Sequence, residues 1–213
     1  MNTSIADLRK DYSLKKLSEE EVSRSPIQQF QKWWDEAIES EISEVNAMTL
    51  ATCDQHGKPS ARIVLLKGIN EDGFIFYTNY ESRKGKELKE NPFASLVFFW
   101  KELERQVRIE GSISMTSIKD SDAYFISRPV KSKISCWSSP QSKVVASRQI
   151  LENKVVDYED KFKDGNIPRP PHWGGYILFP STIEFWQGRR SRLHDRIRYT
   201  GEGSGWLIER LAP

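Results

Sequence analysis

The chain has 213 residues, 38% of them hydrophobic and 29% charged, with a formal net charge of +2. That length suits one domain with a sizeable core, and the near-neutral balance argues against a general nucleic-acid binder, so any basic site must be local. Two cysteines, Cys53 and Cys136, stand in no paired motif. This argues against a disulfide framework or a zinc site and points to a reducing cytoplasm. Charges at Asp7, Arg9, Lys10 and Asp11 leave no expectation of a signal peptide, and no apolar stretch approaches a membrane span.

Residues 1–24 are polar and mixed in charge, and predict a mobile arm that can fold over a ligand, ahead of a single domain at 25–213. Ser25-Pro26-Ile27-Gln28 opens a helix, with Ser at N-cap and Pro at the first helical position. Ile27, Phe30, Trp33, Trp34, Ala37 and Ile38 then recur at helical spacing and predict a core-packing face. Residues 47–53 read as a strand, turned by Asp54-Gln55-His56-Gly57 into the run Arg62-Ile63-Val64-Leu65-Leu66-Lys67. Gly68 and Gly73 enclose a turn, and 74–78 form a second short strand. Ser82 can N-cap a helix that stops at Asn91-Pro92.

Residues 93–100 predict a buried strand, 101–104 a charged turn, and 105–115 a strand with one buried and one polar face. Thr116 or Ser117 opens a helix that ends at Arg128-Pro129. The Ser-rich stretch 131–142 predicts an ordered loop, 144–163 a helix, and 165–171 an extended Pro-rich segment. Strands are expected at 175–179 and 182–186, either side of Pro180-Ser181, and at 206–211. Short antiparallel strands with a few helices make the expected fold mainly β, an antiparallel barrel with peripheral helices.

Two cationic clusters carry the chemistry. The helix opened by Ser82 has Arg83 and Lys84 in its first turn, where the backbone already presents partial positive charge. A bound anion, phosphate above all, reverses that penalty; a solvated basic face is the alternative. Arg62 and Lys67, five apart, point to opposite faces of a regular strand, so two phosphates suit them better than one. The second cluster holds five arginines and His194 within residues 189–198. If extended, Arg190, Arg192, His194, Arg196 and Arg198 share a face. Guanidinium groups suit phosphate and carboxylate; the alternatives are a charge-blunted edge strand and, less well supported, nucleic-acid binding. His194 can titrate near neutrality and serve in proton transfer, or act only as a hydrogen-bonding residue. No nucleotide-binding glycine motif, Walker loop or metal-ligand spacing is present.

Several blocks together resemble the pyridoxine 5′-phosphate oxidases of the FMN-binding split-barrel family. They are 62–67, Phe76 through Lys84, Glu104 through Gly111, Ser127-Arg128-Pro129, Trp173-Gly174-Gly175, Phe185-Trp186-Gln187-Gly188, Arg192-Leu193-His194-Asp195-Arg196 and the terminal Arg210-Leu211-Ala212-Pro213. The resemblance spans nearly the whole chain beyond the first twenty or so residues. It implies an antiparallel split β-barrel that forms a homodimer with FMN at the subunit interface. It implies that Arg62, Lys67, Arg83, Lys84, Gln141 and Ser142 hold FMN, mostly near its phosphate, and that Ile63, Val64, Leu65, Leu66, Tyr77 and Thr78 line the flavin. Gln106, Trp186 and Arg196 add contacts, some from the partner subunit. Lys67, Tyr124, Arg128 and Ser132 grip the substrate phosphate, Arg192 and His194 sit over the pyridine ring as the catalytic pair, and Arg9 and Tyr12 close over substrate. The implied reaction oxidises pyridoxine or pyridoxamine 5′-phosphate to pyridoxal 5′-phosphate with O2. The alternatives are another kind of flavin split-barrel protein and a non-enzymatic RNA- or anion-binding barrel. Arg189 and Arg190 make the loop before Arg192 more basic than the resemblance leads one to expect.

Overall fold

A computed structural model describes residues 12–203 and 205–213. It contains helices α1 (Pro26–Glu39), α2 (Arg83–Glu90), α3 (Ile118–Ser127), α4 (Val130–Ser138) and α5 (Arg148–Lys161). The strands are β1 (Ala47–Cys53), β2 (Pro59–Leu65), β3 (Gly68–Ile69), β4 (Phe74–Asn79), β5 (Phe93–Trp100), β6 (Arg105–Met115), β7 (Trp173–Gln187), β8 (Asp195–Glu202) and β9 (Gly205–Arg210). They join one sheet in the order β2-β1-β5-β6-β7-β4-β3, with β8 on β7 and β9 on β8. The ladders β3–β4, β4–β7, β7–β8 and β8–β9 are antiparallel. The chain divides into two compact units, residues 1–49, 95–111 and 180–213 in one, and residues 50–94 and 112–179 in the other.

In the first unit α1 starts as its sequence requires. Ser25 Oγ accepts the backbone N–H of Gln28, and Pro26 occupies the first turn, where its missing N–H costs nothing. The apolar face then buries Phe30, Trp33 and Ala37. Phe30 meets Phe98 edge-on at 5.1 Å between centroids, and Trp33 meets Phe185 at 5.2 Å. Of the stretch read as an arm, Ser13 and Leu14 both donate backbone N–H groups to Glu104 Oε2, and Leu17 is buried.

In the second unit β4 buries Phe74 and Phe76, and pairs through Phe74↔Leu178 and Asn79↔Trp173 with the first half of β7. Ser82 caps α2 as expected, its Oγ accepting the Gly85 N–H. Ser117, of the two candidates, caps α3.

Three expectations are corrected. The Ser-rich stretch is helical over Val130–Ser138, because Ile134, Cys136 and Ser138 are buried and Trp137 packs on Tyr158 of α5 and on Phe162, the residue that caps it. Tertiary packing there overrides weak serine propensity. The following helix is shorter than 144–163, and Val144 lies fully exposed ahead of it. The strands either side of Pro180 are one strand, β7. Pro180, which has no N–H to offer a ladder, falls between the residues that pair with β4 and those that pair with β8.

The arginine-rich segment also differs from a single extended run. Arg190–Arg192 form a short 3-10 turn in which Ser191 and Arg192 have positive φ, so only Arg196 and Arg198 share a strand face. β8 is flanked by β7 and β9 and is therefore not an edge.

Candidate active site

The first cationic cluster assembles in the second unit around the start of α2. Arg62 lies on the half-buried face of β2, with Ser60 and Val64, while Ile63 and Leu65 are exposed on the other face. Its Nη1 donates to Leu50 O (3.2 Å) and to Thr52 Oγ1 (2.5 Å), and its Nη2 donates to Ser60 Oγ and to Glu87 Oε2 (3.2 Å). Arg83, exposed in the first turn of α2, donates Nε to Glu87 Oε1 at 2.8 Å. Lys84 is buried at 8% exposure, and its Nζ reaches Gln141 Oε1 at 3.2 Å and Ser82 Oγ at 3.5 Å, both neutral. Thr78 Oγ1 donates to the same Gln141 oxygen at 3.3 Å. Burial first, and then the neighbouring Arg62 charge, push the Lys84 ammonium below its ordinary value. A cation held dry beside another cation is an anion site by its donor set. Ser142 adopts positive φ next to Gln141, and it lines a cavity of about 270 Å3 with Arg83, Lys86, Glu87 and Lys143.

A second cavity in this unit, about 290 Å3, is lined by Tyr77, Thr78, Arg128, Cys136, Gln141 and Trp173 among others. Tyr77 stacks on Tyr124 at 3.9 Å, and Trp173 lies parallel to both. Burial, then Asp120, raises the Tyr77 hydroxyl above its ordinary pKa. The Arg128 guanidinium covers Trp173 at 4.7 Å and donates Nη2 to Ser132 O at 3.2 Å. Its Nε is buried with no hydrogen-bond acceptor among the described residues. A guanidinium that lines a cavity and keeps one donor unsatisfied suits an oxyanion. Lys67 is exposed after β2 and Leu66 is buried.

The second cluster lies in the first unit. His194 packs against Trp186 at 4.6 Å, and Tyr12 meets both rings edge-on at 5.8 and 5.9 Å. His194 Nδ1 accepts the Arg189 N–H at 3.1 Å, so a neutral ring carries its proton on Nε2. Burial, then Arg192, lowers the His194 pKa. Arg196 is held by Glu184, a buried carboxylate that accepts Nε at 2.7 Å and Nη2 at 3.2 Å. Glu184 also pairs with Arg108 at 2.8 Å. Gln106 is half-buried on β6, and Arg192 is exposed. Beside this group, Lys15, Lys16, Arg189 and Arg190 line a cavity of about 520 Å3 whose lining has no acidic side chain among the described residues. Arg9 lies outside the described residues.

The structure thus brings together Arg62, Lys84, Thr78 and Gln141, then Tyr77, Tyr124, Arg128 and Ser132, and separately Tyr12, Trp186 and His194. Sequence reasoning missed Glu87, Glu184 and Trp173 as members. Glu87 stands four residues after Arg83, a helical ion-pair spacing, and that was its one local signal. Among the described residues no group of His, Cys, Asp or Glu is placed to hold a metal ion, and no helix is long and apolar enough to cross a membrane.

An antiparallel, mainly β fold with two cation-lined sites defines a class that comparison makes specific. The family model described as pyridoxamine 5′-phosphate oxidase matches residues 34–162, and that of the pyridoxine 5′-phosphate oxidase C-terminal dimerisation region matches 173–213. The chain belongs to the pyridoxamine 5′-phosphate oxidase family, and is an oxidoreductase by that membership. It is 58% identical over 213 residues to a pyridoxine/pyridoxamine 5′-phosphate oxidase of Cyanothece sp., covering all of both chains. Among solved structures it is similar to PhzG of Burkholderia lata, captured with tetrahydrophenazine-1-carboxylic acid (TM-score 0.88, 31% identity, 94% of this chain and 100% of that one). It also shares the fold of a pyridoxamine 5′-phosphate oxidase-related, FMN-binding protein of Nostoc punctiforme (TM-score 0.70, 18% identity, 90% of this chain and 100% of that one).

Proposed function

We propose that the chain is an FMN-dependent oxidase that converts pyridoxine 5′-phosphate and pyridoxamine 5′-phosphate to pyridoxal 5′-phosphate, working as a cytoplasmic homodimer. The observation that carries this reading is the full-length 58% identity to an oxidase of that name. The donor set supports it: the buried Lys84 beside Arg62 suits one phosphate, and the unsatisfied Arg128 Nε suits another. Lys67, which lies beyond the end of β2, is free of the facing that Arg62 has on that strand.

FMN, when bound, would supply the two-electron redox chemistry between C4′ of the substrate and O2, with the overall balance that the alcohol and O2 give aldehyde and H2O2, and the amine, O2 and water give aldehyde, ammonia and H2O2. The protein binds and orients. Arg62, Arg83, Lys84, Gln141 and Ser142 hold the cofactor phosphate, and Ile63, Val64, Leu65, Leu66, Tyr77 and Thr78 line the ring. Gln106, Trp186 and Arg196 add contacts, some from the partner. Lys67, Tyr124, Arg128 and Ser132 fix the substrate phosphate far from C4′, so binding energy there orients the reacting carbon. Arg192 and the neutral His194 lie over the pyridine ring, and Arg9 and Tyr12 close on it. In this reading 25–213 is one split-barrel domain and 1–24 an arm.

The test is optical. Purified protein should be yellow, and adding pyridoxine 5′-phosphate without oxygen should bleach the flavin band, which oxygen then restores. A flavin that stays oxidised under substrate would remove this assignment in favour of another flavin split-barrel activity.

A further inference from the structure

One buried acid in the first cluster has no place in the reading above. Glu87 is 4% exposed on α2, one turn after Arg83. Its Oε1 accepts from Arg83 at 2.8 Å, and its Oε2 accepts from Arg62 (3.2 Å), Thr52 Oγ1 (2.5 Å) and Ser60 Oγ (2.6 Å). Every Nη contact that Arg62 makes runs to this carboxylate, to the two hydroxyls bound to it, or to Leu50 O. Glu87 also lines the cavity that Arg83 and Ser142 share.

A carboxylate inside an anion site is at odds with the site's task, because it opposes the charge of the ligand. It makes sense if the site must also persist empty. Arg62, Arg83 and Lys84 carry three positive charges, of which Glu87 offsets one, while Lys86, Lys143 and Glu81 line the cavity it shares with Arg83. Without Glu87 the empty cluster would hold two unrelieved guanidinium groups beside the buried Lys84 ammonium.

We propose that Glu87 is a resident counter-ion. It occupies the Arg62 and Arg83 donors while no anion is bound and releases part of their hydrogen-bonding capacity when phosphate arrives. The inference rests on the reading that this cluster binds phosphate. It makes Glu87 a positioning residue that tempers affinity in exchange for a stable empty site.

The test compares wild type, Glu87→Gln and Glu87→Asp, each stripped of cofactor, in thermal melts and in titrations with inorganic phosphate and with FMN. Gln keeps the shape and removes the charge. Its empty form should melt lower than wild type, yet bind both phosphate and FMN about three- to tenfold more tightly, the scale of one screened charge near a half-buried ligand. Asp keeps the charge and should retain wild-type affinity more closely than Gln does. A residue that merely props the fold cannot tighten anion binding when it is changed. Equal or weaker binding by Glu87→Gln overturns the proposal, as does an unchanged melting point of its empty form. If Glu87→Gln folds only with FMN present, the proposal is supported. If it folds in neither condition, Glu87 is a core element and the proposal falls. Wild type that binds phosphate but not FMN would sink the oxidase reading while leaving Glu87 testable on phosphate alone. Wild type that binds FMN without a tighter Gln variant sinks only the counter-ion.

Discussion

At the scale of single residues, burial and neighbouring charges shift the titration of groups in the site. Glu87 shows the balance plainly. Burial alone would raise its pKa, but hydrogen bonds from Ser60, Thr52, Arg83 and Arg62 overcome that and lower it to about 2. His194 moves in the same direction for the opposite reason: burial and then Arg192 disfavour its cationic form, against a partial return from Asp195. A base with a lowered folded pKa stays neutral to lower pH. Its contribution to stability is whole above the unfolded value of 6.5 and is lost as pH falls from there towards the folded pKa. The proposed catalytic role therefore predicts a kcat that holds through neutrality and declines only below pH 6.5, with that acid limb absent from His194→Asn. An acid limb that survives in the Asn variant would assign the titration elsewhere. Much of this was legible beforehand. Cations in a first helical turn follow from elementary geometry, whereas the opposite facing expected of Arg62 and Lys67 does not apply, because β2 ends at Leu65 and Lys67 lies beyond it. Glu87 and Glu184 were not legible, because a carboxylate on a helix or strand reads as solvated until tertiary structure buries it.

At the scale of elements, α2 is the part that delivers Lys84. Its start is fixed by Ser82, and by how closely Gly85 lets the helix approach the preceding turn. A Cβ at Gly85 would overlap the backbone carbonyl of Tyr80, which cannot give way as a side chain would. Gly85→Ala should gain helix propensity and still lose stability, by about 1–3 kcal/mol, because the overlap outweighs the propensity term. Lys84 should shift with the helix, so weaker phosphate binding accompanies a lower Tm. A Gly85→Ala protein of wild-type Tm would show that the turn relaxes freely. Elements whose signals were local appear where sequence placed them: α1 from its Ser-Pro start and β6 from alternation, while β5, expected to be buried from its apolar run, is a strand that leaves Phe93 and Phe99 exposed. α4 was hidden because its stability lies in contacts made by Trp137 with Tyr158 and Phe162, some twenty residues away. β7 read as two strands because the proline break is real locally, while the ladders on either side of it are not visible in one segment.

At the scale of the whole molecule, the residues proposed to hold FMN come from both compact units: Arg62, Tyr77, Lys84 and Gln141 from one, Gln106, Trp186 and Arg196 from the other. The match of 173–213 to a C-terminal dimerisation region, and exposed apolar side chains such as Ile63 (64%), Phe93 (62%) and Phe99 (56%), favour a second copy as the missing cover. If each active site takes its second set from the partner subunit, two dead enzymes can rescue one another. Lys84→Ala and Arg196→Ala should each lose most activity alone. Mixed and allowed to exchange subunits, they form hybrid dimers in which one site carries both defects and the other carries neither. Random pairing makes half of the dimers hybrid, each with one intact site of two, so activity should return to about a quarter of wild type. Sites built within single protomers would give no recovery at any mixing ratio, since every site would then keep one defect. The measurement thus decides whether Arg196, held in place by Glu184, serves its own chain or the neighbouring one.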